Sequence, residues 1–242
     1  MAETDTEQGG QGLIAVDLLF GALVSLLCGL DRTALLQIMI SRPLVAAPLA
    51  AWLLGEPLVG LQVGVMVELL WLARLPVGAA IPPDDTQVSI AGTVLAISLG
   101  KILHADSLEL LLLCLLVVIP LGKIGQFFDH AARQYNVRLS TRAETALYNG
   151  NLFAVEFQHL RGILSFALAA IGTYSFIVVS GLLLIPVLWS LVQHPLEHSA
   201  SWLQLALPLI GVAVILGTIN VSRALTLFSA AFGTAFLLMW LV

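Results

Sequence analysis

What most constrains this chain is the succession of long stretches nearly free of charge, near residues 13–30, 34–54, 58–75, 88–103, 107–122, 161–191, 203–219 and 224–242. A helix needs ~20 apolar residues to cross the ~30 Å hydrocarbon layer of a bilayer, and a soluble domain of this size has no core large enough to bury so many. Composition agrees: 59% of the residues are hydrophobic and 10% are charged, against a soluble average of roughly 25% charged. The expected fold is therefore all-α, a polytopic transmembrane helical protein of six to nine membrane segments.

Its organisation follows from the polar exceptions. The leader at residues 1–12 carries Glu3, Asp5 and Glu7 with no basic residue, so it lacks the positive start of a cleaved signal and is expected to be a disordered tail. Residues 13–242 are expected to form one membrane domain. Within it, residues 123–161 hold Lys123, Arg133, Arg138, Arg142 and Arg161, five of the ten basic residues. The positive-inside bias makes this stretch a cytoplasmic connector. Ile124, Phe127, Phe128, Ala131, Ala132 and Tyr135 recur at helical spacing, which predicts an amphipathic helix on the membrane surface. Thr141 with Glu144 has capping-box spacing, which predicts a second short helix stopped at Asn149-Gly150-Asn151. The five tryptophans lie near run ends, where indoles anchor at the interface. Ser41-Arg42-Pro43-Leu44 and Ser222-Arg223-Ala224-Leu225 each follow an apolar run, a faint sign of two related halves. The net charge of −5, without a basic patch, leaves membrane lipid as a partner and excludes nucleic acid.

Two places carry polar chemistry inside apolar surroundings. Arg42-Pro43 and Pro48 interrupt the run at 34–54, predicting a broken or re-entrant segment. Gly60, Gly64 and Glu68 stand four residues apart, so on a helix the glycines admit a neighbouring backbone and the carboxylate points into the same contact. An ion at the bilayer centre costs about 2.5–3.5 kcal/mol even on the lenient insertion scale. Glu68 must then face protein or a wet cavity, and two readings stand: a solute ligand, or a structural partner of Arg42 or Arg74. Further on, Pro82-Pro83 break any helix and Asp84-Asp85 follow directly. Freed carbonyls and paired carboxylates suit a sugar, whose hydroxyls both donate and accept, and equally a cation. A solvent-exposed loop is the plain alternative there.

Catalytic signatures are lacking. His194-Pro195-Leu196-Glu197-His198 fits the H-x-x-E-H string of inverted zinc peptidases, but its position in a polar gap and its proline predict a solvated loop. Cys28 and Cys114 have no ligand-like spacing and are expected as buried thiols. The other histidines, His104, His130 and His159, stand apart, so neither haem ligation nor phosphohistidine chemistry is supported. No metal or other cofactor is implied.

The blocks SRPLVAAPLAAWLLGEPLVGLQVGVMVELLWL at 41–72 and VGAAIPPDDTQVSIAGTVLAI at 77–97, with NGNL at 149–152, resemble the IIC membrane component of the mannose, fructose and sorbose class of the bacterial phosphotransferase system. The resemblance implies a multi-pass subunit of the bacterial cytoplasmic membrane that forms a hexose-like sugar pathway with a IID membrane subunit, as a homotrimer of IIC–IID pairs. It implies phosphorylation by a soluble IIB partner, leaving this chain a non-catalytic permease subunit. Arg42, Pro43, Glu68, Pro83 and Asp84 fall on the family's motif positions. Substrate contact is expected from Glu68 and Asp84, with Asp85 and Arg42 beside them. Met39 stands where many members have glutamine, with Gln37 nearest, and Leu30-Asp31-Arg32-Thr33 stands further from Arg42 than usual. Two other functions are kept open: an ion-coupled secondary carrier using Glu68, Asp84 or Asp85, and a transport-inactive regulatory or scaffold relative.

Overall fold

The structure, a computed structural model, describes residues 2–71, 81–103, 105, 107–218 and 224–241. Among the described residues eight helices follow one another: α1 (Ala2–Thr33), α2 (Pro43–Leu53), α3 (Pro57–Trp71), α4 (Asp85–Leu103), α5 (Leu108–Leu121), α6 (Ile124–Tyr148), α7 (Leu152–Thr218) and α8 (Ala224–Leu241). No strand occurs among the described residues, as the hydropathy pattern requires. Helix α1 takes in the polar leader, and its apolar span runs from Ile14 to Thr33. The positions of Asp84 and Arg32 are set by where these helices begin and end.

At the centre lies α4, packed against α1, α2, α3, α5 and α7. Its residues from Thr86 to Gly100 are all buried, although it carries Gln87, Ser89, Thr93 and Ser98. Each makes at least one side-chain hydrogen bond, because an unmatched polar group in an apolar interior costs several kcal/mol, although Gln87 Oε1 is left without one among the described residues. Ser89 and Thr93 donate to carbonyls of their own helix, at Thr86 (2.8 Å) and Ser89 (2.8 Å), and Gln87 Nε2 donates to Ser25 O of α1 (3.2 Å). Towards the other end of α4, Lys101 Nζ meets the carboxylate of buried Asp17 at 2.8 Å.

The interrupted run behaves as expected. With 11 and 15 residues, α2 and α3 rise only ~16 and ~22 Å, short of a full crossing. They form a hairpin about Gly55, whose φ of +86° a side chain would strain. The Gly60, Gly64, Glu68 face packs on α2. A Cβ on Gly60 would lie 2.8 Å from Pro48 Cα, and one on Gly64 would lie 2.7 Å from Pro43 O. Backbone contact this close is what small residues provide between membrane helices.

Several expectations are corrected. The runs at 161–191 and 203–219 are not separate segments; they belong to the 67-residue α7, which continues through Pro186, Pro195 and Pro208. Helices in an apolar medium tolerate proline where other groups take up the carbonyl freed four residues before it. The H-x-x-E-H string is consequently helical, not a loop, with His194 and His198 exposed to the outside. No second helix starts at Thr141: α6 runs on to Tyr148, and Thr141 Oγ1 donates back to Val137 O (3.4 Å). The stop holds, with Gly150 at φ +68° and Asn151 Oδ1 accepting the Ala154 N–H (3.0 Å) to start α7. The packed face of α6 is centred on Gly125, Ala132 and Leu139, seven residues apart, and Phe127 faces outward. That face lies against α7, where Asn136 Nδ2 donates to Ser165 Oγ (2.7 Å). Trp71 is a core residue, whereas Trp52, Trp202 and Trp240 are exposed as anchors would be. Cys28 and Cys114 are both buried free thiols. Arg74, Gly78 to Ala80 and Ser222-Arg223 lie outside the described residues, and with them the suggested trace of related halves.

Candidate functional site

The site is built where helices end. Pro82 and Pro83 cannot donate backbone hydrogen bonds, so residues 81–84 stay non-helical and α4 begins only at Asp85. Asp84 Oδ1 accepts the Gln87 N–H at 3.0 Å, an N-cap for α4. The corner is partly buried rather than a solvent-exposed loop, and two of its carbonyls already have side-chain partners. Gln126 Nε2 donates to Ile81 O at 2.6 Å, and Arg32 donates to Pro83 O at 3.5 Å. Asp84 N donates to Gly122 O (3.0 Å), tying the corner to the α5–α6 turn.

Each of the two expected acids has an arginine. Glu68 on α3 pairs with Arg42, the N-cap residue of α2, and its second oxygen accepts the Leu44 N–H at 3.4 Å. A carboxylate at a helix N-terminus is favoured by the orphan N–H groups there. Asp84 pairs with Arg32, from the last turn of α1, and the same guanidinium reaches Asp85 at 3.5 Å. Of the partners considered from the sequence for Glu68, Arg42 is the one found among the described residues. Arg32 was missed as a site residue: the pair lies 52 positions apart and no periodicity links them, although a basic residue ending an apolar span was a usable signal.

Between these ion pairs runs the segment 34–42, the non-helical end of the broken run. Leu36, Gln37 and Met39 have φ values of 57°, 55° and 69°. A non-glycine residue in this left-handed region costs on the order of 1–3 kcal/mol and is kept only when its surroundings over-determine it. Ser41 O accepts from Thr86 Oγ1 at 2.7 Å, which docks the segment on α4.

Two cavities flank the corner. One, of about 30 Å³, is lined by Arg32, Asp84, Asp129 and Thr173 among others and has room for roughly one water. The second, of about 260 Å³, is lined by Arg32, Arg42, Ser41, Asp85 and Thr86, with Asp31, Gln37, Met39 and Pro82. It approaches the ~300 Å³ at which small-molecule pockets begin. Arg32 and Pro82 line both, so the Arg32 side chain stands between them. Arg42 and Asp85 thus face the larger space, Asp84 faces the smaller, and Glu68 holds Arg42 from behind. The donors and acceptors that converge here, guanidinium, carboxylate and hydroxyl, suit a neutral polyhydroxylated solute. Among the described residues no group of three His, Cys, Asp or Glu is placed to hold a metal.

A helical membrane protein whose broken helices meet at a polar cavity is a transporter-type architecture. The sequence profile of the family described as PTS system sorbose-specific IIC component matches residues 15–241, and the chain belongs to that family, a family of multi-pass proteins of the bacterial cytoplasmic membrane. It is 30% identical over 122 residues to the PTS system mannose-specific EIIC component of Escherichia coli (strain K12), covering 50% of this chain and 43% of that protein. It is 26% identical over 127 residues to the PTS system sorbose-specific EIIC component of Lacticaseibacillus casei, covering 52% of this chain and 43% of that one. These matches therefore span less than half of the relatives' own length. Two solved structures share the fold, each at 22% identity over 91% of this chain and 86% of the other. One, described as the structure of a membrane protein, has a TM-score of 0.67; the other, the mannose transporter ManYZ in complex with microcin E492, has a TM-score of 0.57.

Proposed function

We propose that this chain is the membrane-embedded IIC subunit of a mannose-family sugar phosphotransferase complex and that a hexose-like sugar occupies the cavity beside Arg42 and Asp85. The observation that carries the reading is the meeting of two interrupted segments, 34–42 and 81–84, at one polar cavity inside an apolar protein. Irregular backbone at membrane depth is tolerated where it lines a cavity, and solute sites of transporters are made this way. In the proposal Arg42 and Asp85 contact the sugar directly. Glu68 and Asp84 accept sugar hydroxyls once Arg42 and Arg32 swing aside, since Glu68 lies behind Arg42 with its second oxygen on the Leu44 N–H and Asp84 is held by Arg32. This chain supplies passage and no catalytic residue; a IID subunit completes the pathway, three IIC–IID pairs assemble, and a IIB partner delivers phosphate to the sugar.

The test is equilibrium sugar binding to the co-purified IIC–IID complex. Losing a charge-assisted hydrogen bond removes about 1.5–3 kcal/mol, a ~10-fold to ~150-fold weakening, and this is expected for Glu68→Gln, Asp84→Asn and Asp85→Asn with assembly retained. Unchanged affinity in all three assembled variants would make these acids structural. Uptake abolished by a protonophore while phosphoenolpyruvate is supplied would instead favour an ion-coupled carrier. The α6–α7 hairpin tip should lie in the cytoplasm, where the basic residues of 123–161 place it. A cysteine at Arg138, in a background without Cys28 and Cys114, should resist an impermeant thiol reagent in intact cells. Ready labelling from outside overturns that topology.

A further inference from the structure

We infer that Asp31 is a positioning residue of this cavity: its carboxylate clamps the strained segment 34–42 in the conformation that brings Ser41 and Arg42 into the cavity wall. The inference rests on reading that cavity as the solute site.

Three of the four residues from Leu36 to Met39 are non-glycine residues in the left-handed region, so the segment does not take this course by its own preference. Apolar burial within the chain does not impose it either, since Leu36, Ile38 and Met39 keep 80%, 63% and 72% of their surface exposed. What remains is hydrogen bonding. Asp31, in the last turn of α1, is 3% exposed, and its two oxygens are divided between two backbone donors. Oδ1 accepts the Ile38 N–H at 2.8 Å and Oδ2 accepts the Ser41 N–H at 3.1 Å. Only an ionised carboxylate offers an acceptor at both positions; an asparagine would turn an NH2 group towards one of the two N–H donors. Beneath the segment, Cys28 Sγ lies 3.4 Å from Ile40 O and is fully covered.

The neighbouring residue does the matching work on the opposite wall. Arg32 holds Asp84, Asp85 and Pro83 O of the proline corner. Successive residues on a helix point ~100° apart, so the end of α1 grips both sides of the cavity at once: Asp31 the segment that carries Arg42, and Arg32 the start of α4. If the Asp31 clamp is released, the left-handed residues can relax, Arg42 shifts away from Glu68 and the cavity wall, and Cys28 is uncovered.

Cys28 supplies a readout independent of transport. In membranes carrying the full chain with its co-expressed IID partner and a Cys114→Ala background, the rate of maleimide labelling at Cys28 is compared among variants. Asp31→Asn is expected to raise it at least ~10-fold and to weaken sugar affinity by a similar factor with the maximal uptake rate kept. Adding Leu36→Gly, which removes the penalty at one left-handed position away from the cavity lining, should bring both back towards the parent. Leu36→Gly alone should slow labelling, and this variant keeps the test valid if Asp31→Asn does not assemble. Parental labelling in Asp31→Asn, or fast labelling that Leu36→Gly fails to slow in either background, overturns the clamp. Labelling that follows the expected order while affinity stays parental upholds the clamp and overturns instead the assignment of the cavity to the sugar.

Discussion

Helices α4 and α7 are both apolar enough to cross a membrane, yet 83% of the most apolar stretch of α4 is buried in the protein against 22% for α7. The buried helix is the one that carries Gln87, Ser89, Thr93 and Ser98, and the exposed one shows Leu164, Leu168, Phe176, Val179 and Leu183 to its surroundings. In water the order would be reversed. In a bilayer the surroundings are as apolar as leucine, so polar groups gain by turning inward to each other and leucines gain little by leaving the outside. Hydropathy therefore identifies the spans, and the polar residues within them mark the interior.

Truncation measures the contrast most directly. Ile90→Ala and Leu95→Ala, at positions with no exposed surface, should each lose about 2 kcal/mol of stability through lost packing contacts and the cavity left behind, since apolar transfer contributes little in a bilayer. The measurement is reversible unfolding in mixed detergent micelles. A comparable loss is expected for Asp17→Asn, which leaves Lys101 without its carboxylate at the other end of α4. Lys101 is about a third exposed, so water relieves part of the ~3–5 kcal/mol expected for a fully buried pair, leaving about 1–3 kcal/mol. The double variant Asp17→Asn with Lys101→Met should recover much of it. Least affected should be Leu168→Ala and Leu183→Ala on the outer face of α7, at under ~0.5 kcal/mol. Losses there as large as those in α4 would show that α7 is covered by protein in the assembled complex, and the comparison would then describe a subunit interface rather than a lipid-facing helix.

The sequence by itself determined the helical membrane class, the interruptions and the need for a partner at Glu68. These follow from local rules: residues without a backbone donor break helices, four-residue spacing shares a face, and an uncompensated charge in a bilayer is expensive. It also placed Gly60 and Gly64 in a close contact, which α2 supplies. The choice between functional and structural roles for the acids was not legible there. Only the tertiary structure brought Arg32 to Asp84 and Asp85, turned Asp85 rather than Asp84 toward the larger cavity, and set Asp31 under Ile38 and Ser41. It also joined two apolar runs into α7 through a proline that local rules read as a loop. The physical reason is the same in each case: pairing of charges and cover of backbone groups depend on which helix ends meet in space, and helix ends that meet here are separated by tens of residues along the chain.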